Sequence, residues 1–405
     1  MSQNGRRTAR KTGAEQTAGS ARDLDGRGKG FQRGSHARTM PKRQRIVQDG
    51  WGADFSRRPA HCTQVTSHIV GLLNGVLPPR AMKVLVTGGN GFIGSMVVRT
   101  LLAEGHTVRC LLRPTSVTER LAGADYEKAF GDVRDAQSVR DALDGTDAVI
   151  HMASLSAWDQ IDSPMMDDVV VGGTRNVIDA AKARPGTRVV FVSSILAVNA
   201  STTPCEFDES SEWTISDHGL SYSRCKRKAE AMCRAAVTAG VPVVIVNPGE
   251  VYGPNDTALI TACNLIDFAK SKPVLVCNGG TSIVYVDDVA LAIVRALERG
   301  RSGERYILGG DNLSVLQLAG LCLELLGQRK RIVRVPNSVI KVLTAVATRL
   351  HIPLPYNPHV IPYATKFWFV SSQKAQRELG VSFRSARETL QPTLVWLKQT
   401  GRIAQ

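Results

Sequence analysis

Residues 82–94 read MKVLVTGGNGFIG. The run Lys83–Thr87 is aliphatic and β-branched, which is the composition of a strand buried inside a parallel sheet. Glycines follow at every third position, at Gly88, Gly91 and Gly94, and apolar residues then recur at helical spacing. A strand, a glycine turn and a helix in this order form a cradle for the pyrophosphate of a dinucleotide.

Each glycine of this stretch has a physical role in such a cradle. Gly88 permits the tight turn after the strand, Gly91 lets the backbone approach a pyrophosphate, and Gly94 lets the helix pack close to the strand. The first helical turn, with Phe92 and Ile93, offers unpaired N–H groups and the positive end of the helix dipole. We therefore predict that these five residues contact a bound dinucleotide.

The chain has 405 residues, and its formal net charge of +15 is unevenly distributed. Residues 1–81 carry 15 Lys/Arg against 5 Asp/Glu. They are rich in Gly, Arg, Ser and Thr without a sustained period, so we expect a disordered basic extension, or a stretch that precedes the true start at Met82. Scattered acids and few aromatic residues disfavour a transit peptide and a nucleic-acid-binding arm, and we expect no nucleic-acid partner.

The eight cysteines are dispersed, without a C-x-x-C pair or a histidine at zinc spacing. Such thiols behave as small apolar residues in a reducing compartment, so the sequence predicts neither disulfides nor a metal site. No apolar run approaches the length of a transmembrane helix. The expected location is the cytoplasm.

The residue that ends the second predicted strand bears on the choice of cofactor. This strand, Thr107–Leu112, lies about twenty residues after the glycines, where an NAD-preferring site places Asp or Glu. This chain has Arg113 there instead, with Thr115 and Ser116 behind it. A guanidinium and hydroxyl groups suit a 2′-phosphate, so we predict NADP as the cofactor, with NAD as the alternative.

Strands and helices alternate through the next segments. Predicted strands cover residues 126–130, 147–151, 188–192 and 241–246, and predicted helices cover 135–143, 164–183 and 222–239. This alternation predicts an α/β protein with a Rossmann-type doubly wound parallel sheet over residues 82–254. Residues 255–405 are less regular and are expected to form a smaller, mostly helical substrate-binding part, with some segments returning to the Rossmann domain.

Helices in this C-terminal part are predicted over residues 257–270, 289–299, 315–326 and 338–350. Ser314 is expected to cap one helix, and the carboxylates of Asp287 and Asp288 to cap another. The segment 338–350 is apolar with two cations. This pattern favours a helix of the core or of a substrate pocket over one at a membrane surface.

Three polar residues form the candidate catalytic group. Tyr222 and Lys226 lie four residues apart in YSRCK, so a helix places them on one face. An ammonium group there stabilises a phenolate and lowers the pKa of the tyrosine. Ser194, at the end of a predicted strand, can donate a hydrogen bond to a substrate carbonyl while a hydride is transferred.

The segments TGGNGFIG, GDVRD, HMAS, VSS, YSRCK and NPGEVYGP together resemble the extended short-chain dehydrogenase/reductase superfamily. Within it the chain is similar to the NAD-dependent epimerase/dehydratase and dihydroflavonol-reductase-like group, and to bacterial hopanoid-associated sugar epimerases. The resemblance implies that Tyr222 exchanges the proton, that Lys226 holds the nicotinamide ribose and that Ser194 polarises the carbonyl.

The same resemblance implies further cofactor contacts. Asp132 and Val133 would contact the adenine, and Ala153 and Pro248 would contact the nicotinamide half. These four residues belong to the segments GDVRD, HMAS and NPGEVYGP.

Two departures from the family pattern concern the substrate. Nucleotide-sugar members usually carry an arginine and an asparagine where this chain has Thr281 and Glu250. Without the arginine a diphosphate loses its charged partner, and Glu250 would repel it. We therefore favour a reductase or dehydrogenase of a small carbonyl or alcohol substrate, for which an apolar compound is an option, and leave a homodimer open. The alternatives are a sugar or nucleotide-sugar epimerase or dehydratase with tightly held NAD, and a dinucleotide-sensing regulator without catalysis.

Overall fold

The computed structural model describes residues 80–155, 158, 160–354 and 356–404. The predictions about the basic extension concern almost only residues 1–79, which lie outside the described residues. The strands are Lys83–Thr87 (β1), Thr107–Leu112 (β2), Glu127–Phe130 (β3), Ala148–His151 (β4), Arg188–Val192 (β5), Glu206–Phe207 (β6), Val243–Pro248 (β7), Glu250–Tyr252 (β8), Val274–Val276 (β9), Gly280–Tyr285 (β10), Arg305–Leu308 (β11), Asn312–Ser314 (β12), Ile332–Arg334 (β13) and Phe367–Val370 (β14). The α-helices are Phe92–Ala103 (α1), Ala136–Leu143 (α2), Gly173–Lys182 (α3), Ser221–Thr238 (α4), Cys263–Lys270 (α5), Val286–Arg299 (α6), Val315–Leu325 (α7), Asn337–Arg349 (α8), Ile361–Ala364 (α9), Gln373–Leu379 (α10) and Ala386–Gln399 (α11).

The central sheet is parallel throughout, in the order β3-β2-β1-β4-β5-β7-β11. Strand order reverses between β1 and β4, and the carboxyl ends of parallel strands open a ligand crevice at such a switch point. The Rossmann-type doubly wound sheet predicted from the alternation of elements is confirmed. Its last strand, β11, comes from beyond residue 254, so the sheet also draws on the C-terminal part of the chain.

Alternate residues of β1 face opposite helical layers. Val84 and Val86 pack in a core with α1 and α6, whereas Leu85 packs in a core with α2, α3 and α4. All three side chains are completely buried. Burial on both faces explains why the strand is aliphatic throughout rather than alternating with polar residues.

The C-terminal part is mainly helical and adds small sheets. One has the order β12-β10-β14-β6 with β8 beside β10, and β9 pairs with β13. Because β8 follows β7 after the single residue Gly249, this second sheet begins at the carboxyl edge of the central one. A separate apolar core joins α5, α7 and α11. Among the described residues, no helix has the length and apolar character needed to cross a membrane.

The helix predicted over residues 257–270 begins only at Cys263. The carboxylate of Asp256 is completely buried and accepts hydrogen bonds, each of 3.1 Å, from the N–H groups of Ile260, Thr261 and Ala262. These bonds hold the preceding residues in a turn, because an Asp side chain competes with the helix for backbone donors. The predicted start was therefore wrong.

The other predicted helix starts have mixed outcomes. The segment predicted as a helix over 164–183 is helical from residue 165 to residue 182, with a π-helical turn at Asp167–Gly172 before α3. Neither Asp287 nor Asp288 caps α6, since the helix begins at Val286 after an N-cap without a side-chain hydrogen bond. Ser314 does cap α7, in a capping box with Gln317.

The junction of β1 and α1 yields a stability prediction. A Cβ on Gly94 would overlap the carbonyl oxygen of Gly88, so Gly94→Ala forces the strand and the helix apart. We expect the free energy of unfolding, measured in urea, to fall by about 3 kcal/mol.

The matched control is Gly320→Ala in α7, where an added Cβ meets no atom within 4 Å. It is expected to stabilise the protein by about 0.5–1 kcal/mol, because alanine restricts the unfolded chain more than glycine does. Equal effects of the two substitutions would contradict the close packing at Gly94.

Candidate active site

A cavity of about 1350 Å³ lies at the carboxyl ends of the central strands and continues under the C-terminal part. The structure brings all of the sequence-predicted cofactor and catalytic residues to its wall. They are Gly88, Gly91, Phe92, Ile93, Gly94, Arg113, Asp132, Val133, Ala153, Ser194, Tyr222, Lys226 and Pro248. Pro248 is the last residue of β7, which is shifted by two residues from its predicted bounds.

The glycine turn has the geometry of a phosphate cradle. Gly88 has a φ of +74°, and its carbonyl oxygen accepts a hydrogen bond from the Gly91 N–H at 3.0 Å. A Cβ on Gly88 would lie 2.9 Å from the backbone nitrogen of Ala153, so only glycine fits between β1 and the loop after β4. Gly91 is the N-cap of α1 and offers no side-chain acceptor to its first turn. The N–H groups of this turn remain available for an anion.

The end of the cavity beyond β2 and β3 carries two guanidinium groups. Arg113 is exposed, and its backbone N–H donates to the Ser116 hydroxyl oxygen at 3.1 Å. Arg134 donates to the carboxylate of Asp132 from Nη2 at 2.8 Å and from Nε at 3.0 Å. This hydrogen bonding is the main cause that lowers the pKa of Asp132, and the charge of Arg113 lowers it further. The carboxylate expected beside an adenine is thus already paired with a cation.

The three candidate catalytic residues come from neighbouring elements. Tyr222 and Lys226 lie on successive turns of α4, and the Lys226 ammonium lies 5.7 Å from the centre of the Tyr222 ring. Lys226 is buried, and its Nζ donates to the carbonyl oxygen of Val192 at 2.9 Å. Ser194 is the second residue after β5, next to Ser193, and its Oγ accepts from the Leu196 N–H at 3.2 Å.

Burial controls the protonation of this group. It raises the pKa of Tyr222 to about 12, although hydrogen bonding with Ser194 and Ser154 acts in the opposite direction. It lowers the pKa of Lys226 to about 8, against the favourable charge of Glu230. The expectation that Lys226 lowers the pKa of Tyr222 is therefore wrong. The physical reason is that the cost of burying a phenolate dominates, while the ammonium is hydrogen-bonded to a backbone carbonyl.

A hydrogen-bond chain that sequence reasoning missed fixes the loop after β4. The Thr87 hydroxyl oxygen accepts from the Ala153 N–H at 3.2 Å and lies 2.7 Å from Nδ1 of His151. Nε2 of His151 lies 3.2 Å from the Thr174 hydroxyl, which donates to the Val170 carbonyl oxygen. Burial lowers the pKa of His151 to about 3, so the ring stays neutral. Its function here is to orient the loop that carries Ala153.

A second missed residue is Glu230, which is completely buried on α4. Its carboxylate accepts from the Ser193 hydroxyl at 2.6 Å and from the Asn247 side-chain amide at 2.7 Å, and lies 3.5 Å from Arg305. It therefore links α4 to the ends of β5 and β7 and to β11. A glutamate in a helix pattern ordinarily indicates an exposed face, so no local signal identifies it.

Glu250 lies in the cavity wall within a polar cluster. Its carboxylate accepts from the Tyr252 hydroxyl at 2.7 Å and from the Asn264 side-chain amide at 2.9 Å. Burial raises the pKa of Glu250, and hydrogen bonding with Thr281 is among the opposing contributions. The two positions where the chain departs from nucleotide-sugar members are thus neighbours in the same wall.

The sequence of this chain is similar to those of several known proteins. The profile of the NAD dependent epimerase/dehydratase family matches residues 84–309. Sterol demethylase protein B of Methylococcus capsulatus is 30% identical over 80% of this chain and 100% of its own length. A putative dihydroflavonol 4-reductase of Synechocystis sp. is 28% identical over 78% of this chain and 95% of its own.

A solved structure is also similar to this chain in sequence and in fold. A double mutant of the dTDP-glucose 4,6-dehydratase of Streptomyces venezuelae, with NAD bound, is 27% identical to this chain. It aligns with a TM-score of 0.62 over 78% of this chain and 97% of its own. These similarities confirm the resemblance read from the motifs and the assignment as an NAD(P)-dependent oxidoreductase of the extended short-chain dehydrogenase/reductase type. The chain belongs to the NAD dependent epimerase/dehydratase family.

Proposed function

We propose that this enzyme is an NADP-preferring reductase that acts on the carbonyl group of a bulky, apolar substrate, and on the matching alcohol in reverse. The observation that carries the proposal is the position of Tyr222. Its hydroxyl is close to those of Ser154 and Ser194 in the cavity wall, and burial keeps it protonated. A protonated phenol is the form that gives a proton to a carbonyl oxygen.

The residues present fit a dinucleotide. The glycine turn leaves room that a side chain would fill, and the first turn of α1 offers N–H groups to a pyrophosphate. Arg113 and Arg134 would face a 2′-phosphate at the other end of the cofactor site. Lys226 would hold the ribose beside Tyr222. The bound cofactor would supply the hydride to the substrate carbon, or accept it in the reverse direction.

Three side chains of the protein have the other roles in this reaction. Ser194 donates a hydrogen bond to the carbonyl oxygen and stabilises the negative charge that develops there. Tyr222 transfers its proton to the same oxygen, and the resulting phenolate is stabilised by the ammonium of Lys226 while that group is charged. In alcohol oxidation the same groups act in the opposite order.

The substrate end of the cavity supports an apolar substrate. Helix α8 lines it with Ile340, Leu343, Val346 and Ala347. Thr281 in the cavity wall gives a diphosphate no charged partner, so a nucleotide sugar is disfavoured. The relative from Methylococcus capsulatus is named as a sterol demethylase protein, and a sterol is a bulky apolar molecule with an oxygen function.

Tyr222→Phe is expected to lower kcat/KM by about 100- to 10,000-fold, because the proton donor is lost. The measurement is NADPH oxidation with a panel of ketones from small diketones to steroid ketones. NADPH affinity, measured by fluorescence, should stay within about twofold, because the phenol oxygen contributes little to dinucleotide binding. Tyr126→Phe, outside the cavity wall, is the matched control. Turnover retained in the Tyr222 variant would contradict the catalytic assignment.

Arg113→Ala is expected to weaken NADPH binding by about 10- to 100-fold and to leave NADH binding nearly unchanged, since only NADPH carries a 2′-phosphate. Both affinities are measured by isothermal titration calorimetry. Arg175→Ala, an exposed arginine outside the cavity wall, is the control. Equal losses for both cofactors, or NAD that co-purifies and does not exchange, would contradict the NADP preference.

Lys226→Met tests the buried ammonium through stability. Because the pKa of Lys226 is about 8 in the folded protein and 10.5 ordinarily, the unfolded chain binds more protons between these values. The stability of the cofactor-free wild type, relative to the variant, should therefore rise with pH from about 8 to about 10. The raised pKa of Tyr222, which lowers stability above pH 10, is common to both proteins and does not enter this comparison.

The measurement is the urea midpoint at several pH values within this window. Glu230, Cys225 and Cys233 face the same ammonium and favour its charged form, and they are unchanged in the variant. Lys228→Met, which removes an exposed lysine of the same helix, should show no such dependence. Parallel pH curves for wild type and Lys226→Met would contradict the buried, perturbed lysine.

A further inference from the structure

Helix α8 and the residues after it carry a concentrated apolar surface. Eleven large hydrophobic residues are strongly exposed in the described part of the chain, and six of them lie within residues 339–352. They are Val339, Val342, Leu343, Val346, Leu350 and Ile352, with 45–62% of each side chain exposed. The spacing of the first five places them along one face of the helix. A contiguous apolar patch of this kind marks an interaction surface.

This apolar surface is continuous with the rim of the cavity. Leu343, Val346 and Ile352 are exposed to solvent and also line the cavity. Ile340 and Ala347, on the inner side of the same helix, line it as well. An apolar molecule could therefore pass from the outer face of α8 into the cavity without crossing a polar surface.

The charged Lys, Arg, Asp and Glu residues of the chain segment that contains α8 are all of one sign. Residues 325–366 contain seven Lys/Arg and no Asp/Glu, whereas residues 82–405 as a whole contain 36 Lys/Arg and 31 Asp/Glu. The net positive charge of the folded part is thus concentrated in this segment. Arg334, Lys341 and Arg349, which flank the apolar face, are all exposed. Apolar residues beside an uncompensated cluster of cations are the pattern of a helix that lies in an anionic membrane surface.

We propose that α8 docks on the surface of a bilayer that contains anionic phospholipids, and that the cavity receives its apolar substrate from that bilayer. The proposal rests on the proposed function for the nature of the substrate. The exposed stripe would lie at the depth of the first acyl carbons, and the flanking cations would contact lipid phosphates. Val342 and Leu350, which face away from the cavity wall, would provide the deepest contacts.

Charge favours a membrane over the other candidate occupants. A second copy of the chain would bring two segments with seven cations each into contact, and like charges in an interface oppose association. The apolar stretch at residues 69–77 of the chain itself belongs to a segment with 15 Lys/Arg and 5 Asp/Glu, so it would meet the same repulsion. An anionic lipid surface is complementary to both the apolar face and the cations.

The experiment is co-sedimentation of the full chain with phosphatidylcholine vesicles, with and without phosphatidylglycerol. We expect strong binding only to the vesicles that contain phosphatidylglycerol, and weaker binding in high salt. Val342→Asp/Leu350→Asp should abolish this binding. Lys341→Gln/Arg349→Gln should weaken it by about 30-fold. Val395→Asp, which changes an exposed valine on α11, is the control and should bind as the wild type does.

Four results would overturn the proposal. One is the absence of binding to vesicles with phosphatidylglycerol, and another is equal binding by wild type and Val342→Asp/Leu350→Asp. The third is a full chain that binds vesicles only after Leu72→Asp/Leu73→Asp, and the fourth is a dimer in light scattering that Val342→Asp/Leu350→Asp dissociates. In the last two cases protein rather than lipid covers the face. Binding is measured without turnover, and NADPH affinity verifies that each variant is folded. Failure here is therefore distinguishable from failure of the reductase assignment, which Tyr222→Phe tests.

Discussion

The contact between the backbone of Gly94 and the carbonyl group of Gly88 is the constraint on which the rest of the site depends. Because no side chain separates them, the first turn of α1 starts directly at the end of β1. Gly88, in its left-handed conformation, then lies against the backbone of Ala153 after β4. At these three residues the crevice between β1 and β4 is lined by backbone, so a pyrophosphate can come close to the N–H groups of the first turn of α1.

Much of this architecture could be predicted from the sequence because its signals are local. A doubly buried strand is aliphatic at every position, a cradle needs glycines at fixed spacing, and residues four apart share a helix face. The contacts that hold the site in place are not local. His151 meets Thr87 across 64 positions of the chain, and Glu230 meets Ser193 across 37. A single sequence does not show which polar residues will meet inside the fold.

The protonation of Tyr222 and Lys226 also depends on contacts that the sequence does not reveal. The spacing of Tyr222 and Lys226 correctly places both on one helix face, but it does not determine which acceptor the ammonium selects. In the structure that acceptor is the carbonyl of Val192, a group with no side-chain signature. Desolvation then outweighs the hydrogen bonds of Tyr222 and the charge of Glu230 near Lys226, so the pKa of the phenol is raised and the pKa of the ammonium is lowered. Substrate and cofactor therefore bind to a site whose proton is still on the phenol.

The buried carboxylate of Glu230 has a consequence for how this enzyme and its relatives can diverge. Through Arg305 it makes β11 a support of the helix that carries Tyr222, although β11 follows two helices and two strands of the C-terminal part. The family profile ends at residue 309, directly after that strand. The exchange of substrate-recognising segments between relatives must therefore respect two links, the pair of Glu230 with Arg305 and the pairing of β14 with β6. A junction between residues 255 and 304 would combine α4 and its Glu230 with a β11 from another protein.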